Sequence, residues 1–242
     1  MSRPSALVVT GPGTNRDRDA VLALDLAGAE ATTVGAHELA RRPELLDTAR
    51  IVLVAGGFSY GDALGAGRML ALDLETAGGG GLGASLRDFV ASGRPVIGIC
   101  NGFQVLTRAG LLPGALGHNA HGRFDCRWVA MAPQPDSRCI WTDGAADEID
   151  CPIAHGEGRY VHPDPDALAA AGQVALRYVG GNPNGSVADI AGVCDETGLV
   201  LGLMPHPENH VVVRQHPHHR RDPSTTDHLG LRLFEAAVRL VK

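Results

Sequence analysis

Along the first hundred residues, short apolar runs alternate with amphipathic stretches. Ala6–Val9 is an apolar run closed by Gly11-Pro12-Gly13. In the stretch Asp17–Ala27 that follows, Ala20, Val21, Leu24 and Ala27 share one helical face and Gly28 supplies a C-cap. A second strand is expected at Ala31–Val34, and a third at Ile51–Val54, running into Gly56-Gly57. Leu82–Ala91 reads as a helix stopped by Gly93, and Pro95–Ile99 as a fourth strand. Strands that are apolar on both faces and alternate with helices predict a parallel sheet covered on both sides. From Arg123 to Gly192 the pattern turns more β-like, with segments such as Phe124–Met131 and Val174–Val179. Leu199–Leu203 is the last clear strand, and Asp227–Leu240 the closing helix, with Leu229, Leu233, Ala236 and Ala237 on one face. Gly78–Gly81 reads as a flexible insertion in a crossover. No repeat or long linker divides the chain. Residues 1–242 are therefore expected to form one α/β domain, a mainly parallel central sheet with helices on both faces and a small additional β region.

Composition narrows the function. Apolar residues make up 44% and charged residues 20%, which excludes wholesale disorder. A net charge of −6 argues against a nucleic-acid or anionic-membrane partner, and the nearly all-arginine basic set, with Lys242 the only lysine, reads as compositional bias. No apolar stretch approaches the roughly 20 residues of a membrane span. The N-terminus runs into a strand with no signal-peptide core, so a soluble, cytoplasmic protein is expected. The five cysteines form no Cys-x-x-Cys pair, which speaks against a disulfide framework or a zinc site, and no metal is expected.

One cysteine carries a sharper signal. Gly98-Ile99-Cys100-Asn101-Gly102 follows an apolar strand and precedes a helix bearing Phe103, Val105 and Leu106. This is the G-x-nucleophile-x-G elbow with cysteine in the nucleophile position. The flanking glycines leave room for a strained turn, and the N-terminus of the next helix favours thiolate over thiol. A thiolate attacking a carbonyl needs a base and donors for the developing oxyanion. Two segments offer a histidine with a carboxylate two residues on: His206-Pro207-Glu208 and His155-Gly156-Glu157. In extended chain, residues two apart face the same side, so either glutamate could orient its imidazole. Prolines stiffen the first segment, which also follows a strand, whereas glycines leave His155 more mobile. That favours His206 without excluding His155. The turn Gly56-Gly57-Phe58-Ser59-Tyr60-Gly61-Asp62 offers unobstructed backbone N–H groups. The histidine cluster His216-Pro217-His218-His219 reads as a solvated loop.

The motifs resemble those of class I (triad) glutamine amidotransferases, specifically the glutaminase subunits of phosphoribosylformylglycinamidine synthases. The resemblance rests on Gly13-Thr14-Asn15 with Asp17 and Asp19, Gly56–Asp62, Gly98–Leu106, Gly110–Gly114, Ala154–Tyr160, Asn182–Ser186, Asp189–Gly192 and Gly202–Glu208, and it spans nearly the whole chain. It implies a class I amidotransferase-like fold and a catalytic triad of Cys100, His206 and Glu208. It further implies oxyanion donors at the backbone N–H groups of Gly57 and Asn101, with Gln104 binding the substrate, L-glutamine. Ammonia would pass to a large synthetase subunit, with a third small subunit completing the complex. ATP and magnesium would belong to that synthetase, and no cofactor to this chain. A paralogous glutaminase for a specialised nucleoside pathway, or a non-catalytic scaffold subunit, are the alternative readings.

Overall fold

A computed structural model describes residues 2–76, 81–145, 148–221 and 228–242. In chain order the strands are β1 (Ser5–Thr10), β2 (Glu30–Gly35), β3 (Ile51–Val54), β4 (Val96–Ile99), β5 (Ala115–Gly117), β6 (Asp125–Pro133), β7 (Ile149–His155), β8 (Arg159–Val161), β9 (Val174–Val179), β10 (Ile190–Cys194) and β11 (Val200–Leu203). The helices are α1 (Asp17–Leu26), α2 (Ala36–Arg41), α3 (Leu45–Thr48), α4 (Arg68–Thr76), α5 (Leu82–Ala91), α6 (Asn101–Arg108), α7 (Pro165–Ala170) and α8 (Leu231–Val241).

Nine strands form one sheet in the order β2-β1-β3-β4-β11-β10-β9-β6-β7. The neighbours from β2 to β11 pair in parallel. From β11 to β7 every pairing is antiparallel. The β-like stretch of the sequence thus extends the parallel sheet at its β11 edge, and a separate two-stranded sheet, β5-β8, lies beside it. Every residue of β3, β4 and β11 is buried, which explains why these runs are apolar on both faces. On one side α1 packs with α8, and on the other α2, α4, α5 and α6 pack among themselves. None of the described helices is long and apolar enough to cross a membrane.

The closing helix begins at Leu231, later than the amphipathic pattern suggests. The Gly230 N–H donates to the His210 carbonyl at 2.8 Å, a Cβ on Gly230 would overlap the Pro207 carbonyl, and the His228 carbonyl accepts the Asp150 N–H at 3.1 Å, so His228 and Gly230 serve tertiary contacts instead of a first helical turn. Asp227, and Gly78–Gly80 of the glycine tract, lie outside the described residues. One close approach positions the site. A Cβ on Gly102 would overlap the Val54 carbonyl, and one on Gly98 would lie 2.6 Å from the Gly102 carbonyl oxygen. The missing side chains let the start of α6 press directly onto β3 and β4.

Candidate active site

Cys100 occupies the junction of β4 and α6 with φ 51° and ψ −105°. Such a conformation costs a non-glycine residue roughly 1–3 kcal/mol and persists only where the surroundings enforce it. Here they do. The Cys100 N–H donates to the Leu203 carbonyl at 2.8 Å, and its own carbonyl accepts the Gln104 N–H at 3.1 Å. The thiol is buried, with Sγ 3.8 Å from the Ala154 carbonyl oxygen.

His206 leaves the end of β11, anchored by its N–H to the Pro152 carbonyl at 2.9 Å. A tight turn at Pro207–Asn209 folds Glu208 back, so that its Oε1 lies 2.6 Å from His206 Nδ1. Both side chains are buried, at 2% and 0% exposure. Burial alone would lower the His206 pKa. The charges of Glu208 and Cys100, with hydrogen bonding to both, override it and hold the value at about 10. The imidazolium is then the resting form at neutral pH. Gly56 lies against this ring: a Cβ there would sit 2.9 Å from His206 Cε1.

Gly57 adopts φ 131°, and a Cβ on it would fall 2.7 Å from the Asn15 nitrogen. Only glycine fits there. Asn101 opens α6; its Oδ1 accepts the Ser59 N–H at 3.3 Å and its Nδ2 donates to Gln104 Oε1 at 3.0 Å. Among the described residues, no backbone hydrogen bond uses the N–H of Gly57 or Asn101. Gln104 Nε2 donates to the Glu157 carbonyl at 2.7 Å. Gly57, Cys100, Gln104 and His155 all line one cavity of about 180 Å³, and the partly exposed rings of Phe58 and Phe124 stack 6.2 Å apart, both in its wall. A larger cavity of about 840 Å³, lined by Arg138, Asp143 and Arg239 among others, contains none of the candidate residues.

The second histidine segment departs from expectation. His155 is not mobile: it is 3% exposed, and the residues around it are tied down on several sides. The His155 and Gly156 carbonyls accept from Asn119, the Glu157 carbonyl from Gln104, and the Gly158 carbonyl from Asn184. Glycine at 158 serves close packing, because a Cβ there would overlap the imidazole. Nor does Glu157 orient His155. Its carboxylate accepts the Ala66 N–H at 3.3 Å and pairs with Arg108 at 3.8 Å. Burial and the neighbouring Glu157 charge raise the Asp62 pKa. Asn119, which fixes His155, carries no signal in the sequence, since its role exists only through a contact 36 residues away. The histidine-rich loop differs too: His216 is 8% exposed, its ring 4.5 Å from that of Trp128. An apolar ring on β6 draws it inward. No group of three potential ligands among the described residues has the arrangement of a metal site.

Residues 3–241 match the family of CobB/CobQ-like glutamine amidotransferase domains. The phosphoribosylformylglycinamidine synthase subunit PurQ of Treponema denticola is 44% identical over 99% of this chain and 99% of that protein. The subunit of the same name from Dehalococcoides mccartyi is 38% identical over 99% of this chain and 98% of its own length. The chain belongs to the PurQ family of glutamine amidotransferases. The solved structure of PurLQS from Thermotoga maritima holds a chain with TM-score 0.78 and 36% identity, covering 99% of this chain and 100% of that one. In this PurQ-family chain the cysteine elbow, the buried imidazole–carboxylate pair and the Gly56-Gly57 turn come together at the ends of β4, β11 and β3, where open α/β sheets bind ligands.

Proposed function

We propose that this chain is the glutaminase subunit of a phosphoribosylformylglycinamidine synthase, acting in purine biosynthesis in the cytoplasm. It works as one domain, residues 1–242, and hydrolyses L-glutamine to glutamate and ammonia. The observation that carries the reading is that Cys100, in its strained elbow, meets the buried His206–Glu208 pair beside a cavity of about 180 Å³.

In the proposed reaction the Cys100 sulfur attacks the carboxamide carbon, and the oxygen gathers negative charge between the Gly57 and Asn101 N–H groups. Each such donor stabilises the transition state by roughly 2.7–4 kcal/mol. The His206 imidazolium, oriented by Glu208, gives its proton to the nitrogen, which leaves as ammonia. Cys100 is left as a glutamyl thioester. Water then attacks, His206 takes its proton, and glutamate departs as the sulfur is expelled. Gln104 holds the substrate, and the carboxylates of Asp62 and Glu157 in the same cavity wall suit its α-ammonium group. Ammonia passes to a large synthetase subunit, with a third small subunit in the complex. ATP and magnesium act on the synthetase, and this chain needs no cofactor.

The test is reconstitution with the synthetase and the third small subunit. Glutamine-dependent amidation of formylglycinamide ribonucleotide with ATP and magnesium is the expected result. A complex that uses ammonium salts but not glutamine would overturn the assignment.

A further inference from the structure

His155 is used by none of the steps above, yet it is built into the cavity wall. Its protonation pattern follows from its neighbour. Asn119 Nδ2 donates to the carbonyls of Arg123 and His155, both at 2.9 Å, while its Oδ1 accepts the Gly158 N–H at 3.0 Å. The amide cannot be turned round without losing all three bonds. Its Oδ1 also lies 3.0 Å from His155 Nδ1, so Nδ1 is the nitrogen that carries hydrogen. Burial, then the nearby His206 charge, lower the His155 pKa to about 4. At neutral pH the ring is therefore uncharged and Nε2 is a bare acceptor. That atom is buried and has no hydrogen-bond partner among the described residues. Proteins rarely leave a buried acceptor unmatched, because the hydration it loses on burial is then not replaced.

The chemistry of the site says which donor is missing. A substrate carboxamide brings one oxygen and an NH2 group. Backbone donors at Gly57 and Asn101 serve the oxygen, and His206 serves the nitrogen lone pair. The two N–H hydrogens still need acceptors. Once ammonia has gone, water takes the same place relative to His206, and the hydrogen it does not give up needs an acceptor as well. His155 stands at the reacting end of the cavity: Ala154, the residue before it, offers its carbonyl to Cys100 Sγ, and the His206 charge reaches its ring.

We propose that His155 Nε2 accepts a hydrogen bond first from the departing amide nitrogen and then from the attacking water. The assignment rests on the glutaminase reading above. No proton is transferred to His155. In acylation the proton moves from His206 to nitrogen, and in deacylation from water to His206. A ring so hard to protonate can hold these groups without competing for their protons.

Two substitutions separate this role from a purely structural one. His155→Asn places an amide where Nδ1 stands, so it keeps the bond to Asn119 and loses the acceptor at Nε2. His155→Gln reaches the Nε2 position with an oxygen and loses the Asn119 contact. In the assembled complex, His155→Asn should lower kcat for glutamine hydrolysis roughly tenfold, the scale of one buried hydrogen bond, with KM little changed. His155→Gln should retain more of kcat than His155→Asn. Amidation driven by ammonium salts should be the same in both, which verifies folding and assembly. Wild-type kcat in His155→Asn, together with loss in His155→Gln, would overturn the proposal and leave His155 as an anchor for Asn119. A rise in KM alone would also overturn it. If the wild-type complex shows no glutaminase activity at all, the failure belongs to the glutaminase reading and not to His155.

Discussion

Two segments of this chain carry the same arrangement, a histidine with a glutamate two residues on, and the fold treats them in opposite ways. After β11, Glu208 turns back onto His206 at 2.6 Å, and the ring is held charged, with its pKa near 10. After β7, Glu157 turns away to Ala66 and Arg108, an amide takes its place beside His155, and the ring is held neutral, with its pKa near 4. Both rings are almost fully buried. Burial therefore does not decide the outcome; the partner does. A carboxylate compensates a buried positive charge, whereas an amide oxygen beside Nδ1 fixes the tautomer without adding charge. One segment is equipped to move a proton and the other to hold hydrogen bonds.

The largest expected effect concerns the group that the first segment serves. Cys100→Ala should abolish glutamine-dependent amidation in the complex and spare amidation from ammonium salts; residual glutamine turnover by a verified variant would sink the nucleophile assignment. His206→Ala should slow thioester formation in single-turnover experiments by about 10²–10⁴, the range of a positioned acid–base. The two glutamates test the contrast directly. Glu208→Gln should cost on the order of 10²-fold or more in kcat, because the imidazolium loses its compensating charge. Glu157→Gln should act mainly on KM for glutamine. Equal effects on kcat from the two changes would erase the distinction between the segments.

The smallest effect is on stability. The His155 pKa falls from 6.5 in the unfolded chain to about 4 in the folded one, so as pH drops the unfolded chain takes up the proton first. Between pH 6.5 and 4 this group alone should remove roughly 3 kcal/mol of stability. His206 works the other way: its contribution is complete below its unfolded value and is lost as pH rises through about 10. Urea titrations from pH 7 to pH 4 should give a shallower acid slope for His155→Asn than for the wild type. Parallel slopes would mean that His155 is not held neutral.

Much of the fold and of the site is legible in the amino-acid sequence. The runs Ile51–Val54 and Val174–Val179 are strands with the bounds that their pattern predicts; the first is buried on both faces and so has nowhere to place a polar residue, whereas the second carries Arg177 at a half-buried position. The elbow at Cys100 announces itself through Gly98 and Gly102, whose absent side chains the packing of α6 requires. Less visible are the short helices α2 and α7, whose few apolar positions give little periodicity, and the inward turn of His216, which depends on Trp128, a residue 88 positions earlier on β6.

By itself the sequence determined the sheet-forming runs, the turn that exposes a nucleophile, and the two histidine–glutamate pairs. These are local properties, set by side-chain periodicity, by backbone sterics at glycine and proline, and by neighbours a few residues apart. Only the tertiary structure decided which histidine carries charge. That choice depends on Glu208 folding back, on Glu157 being taken by Arg108, and on Asn119 arriving beside His155 from 36 residues away. Proton affinity in a buried site is set by the charges and dipoles within a few ångströms, and chain spacing alone does not say which of them will be there.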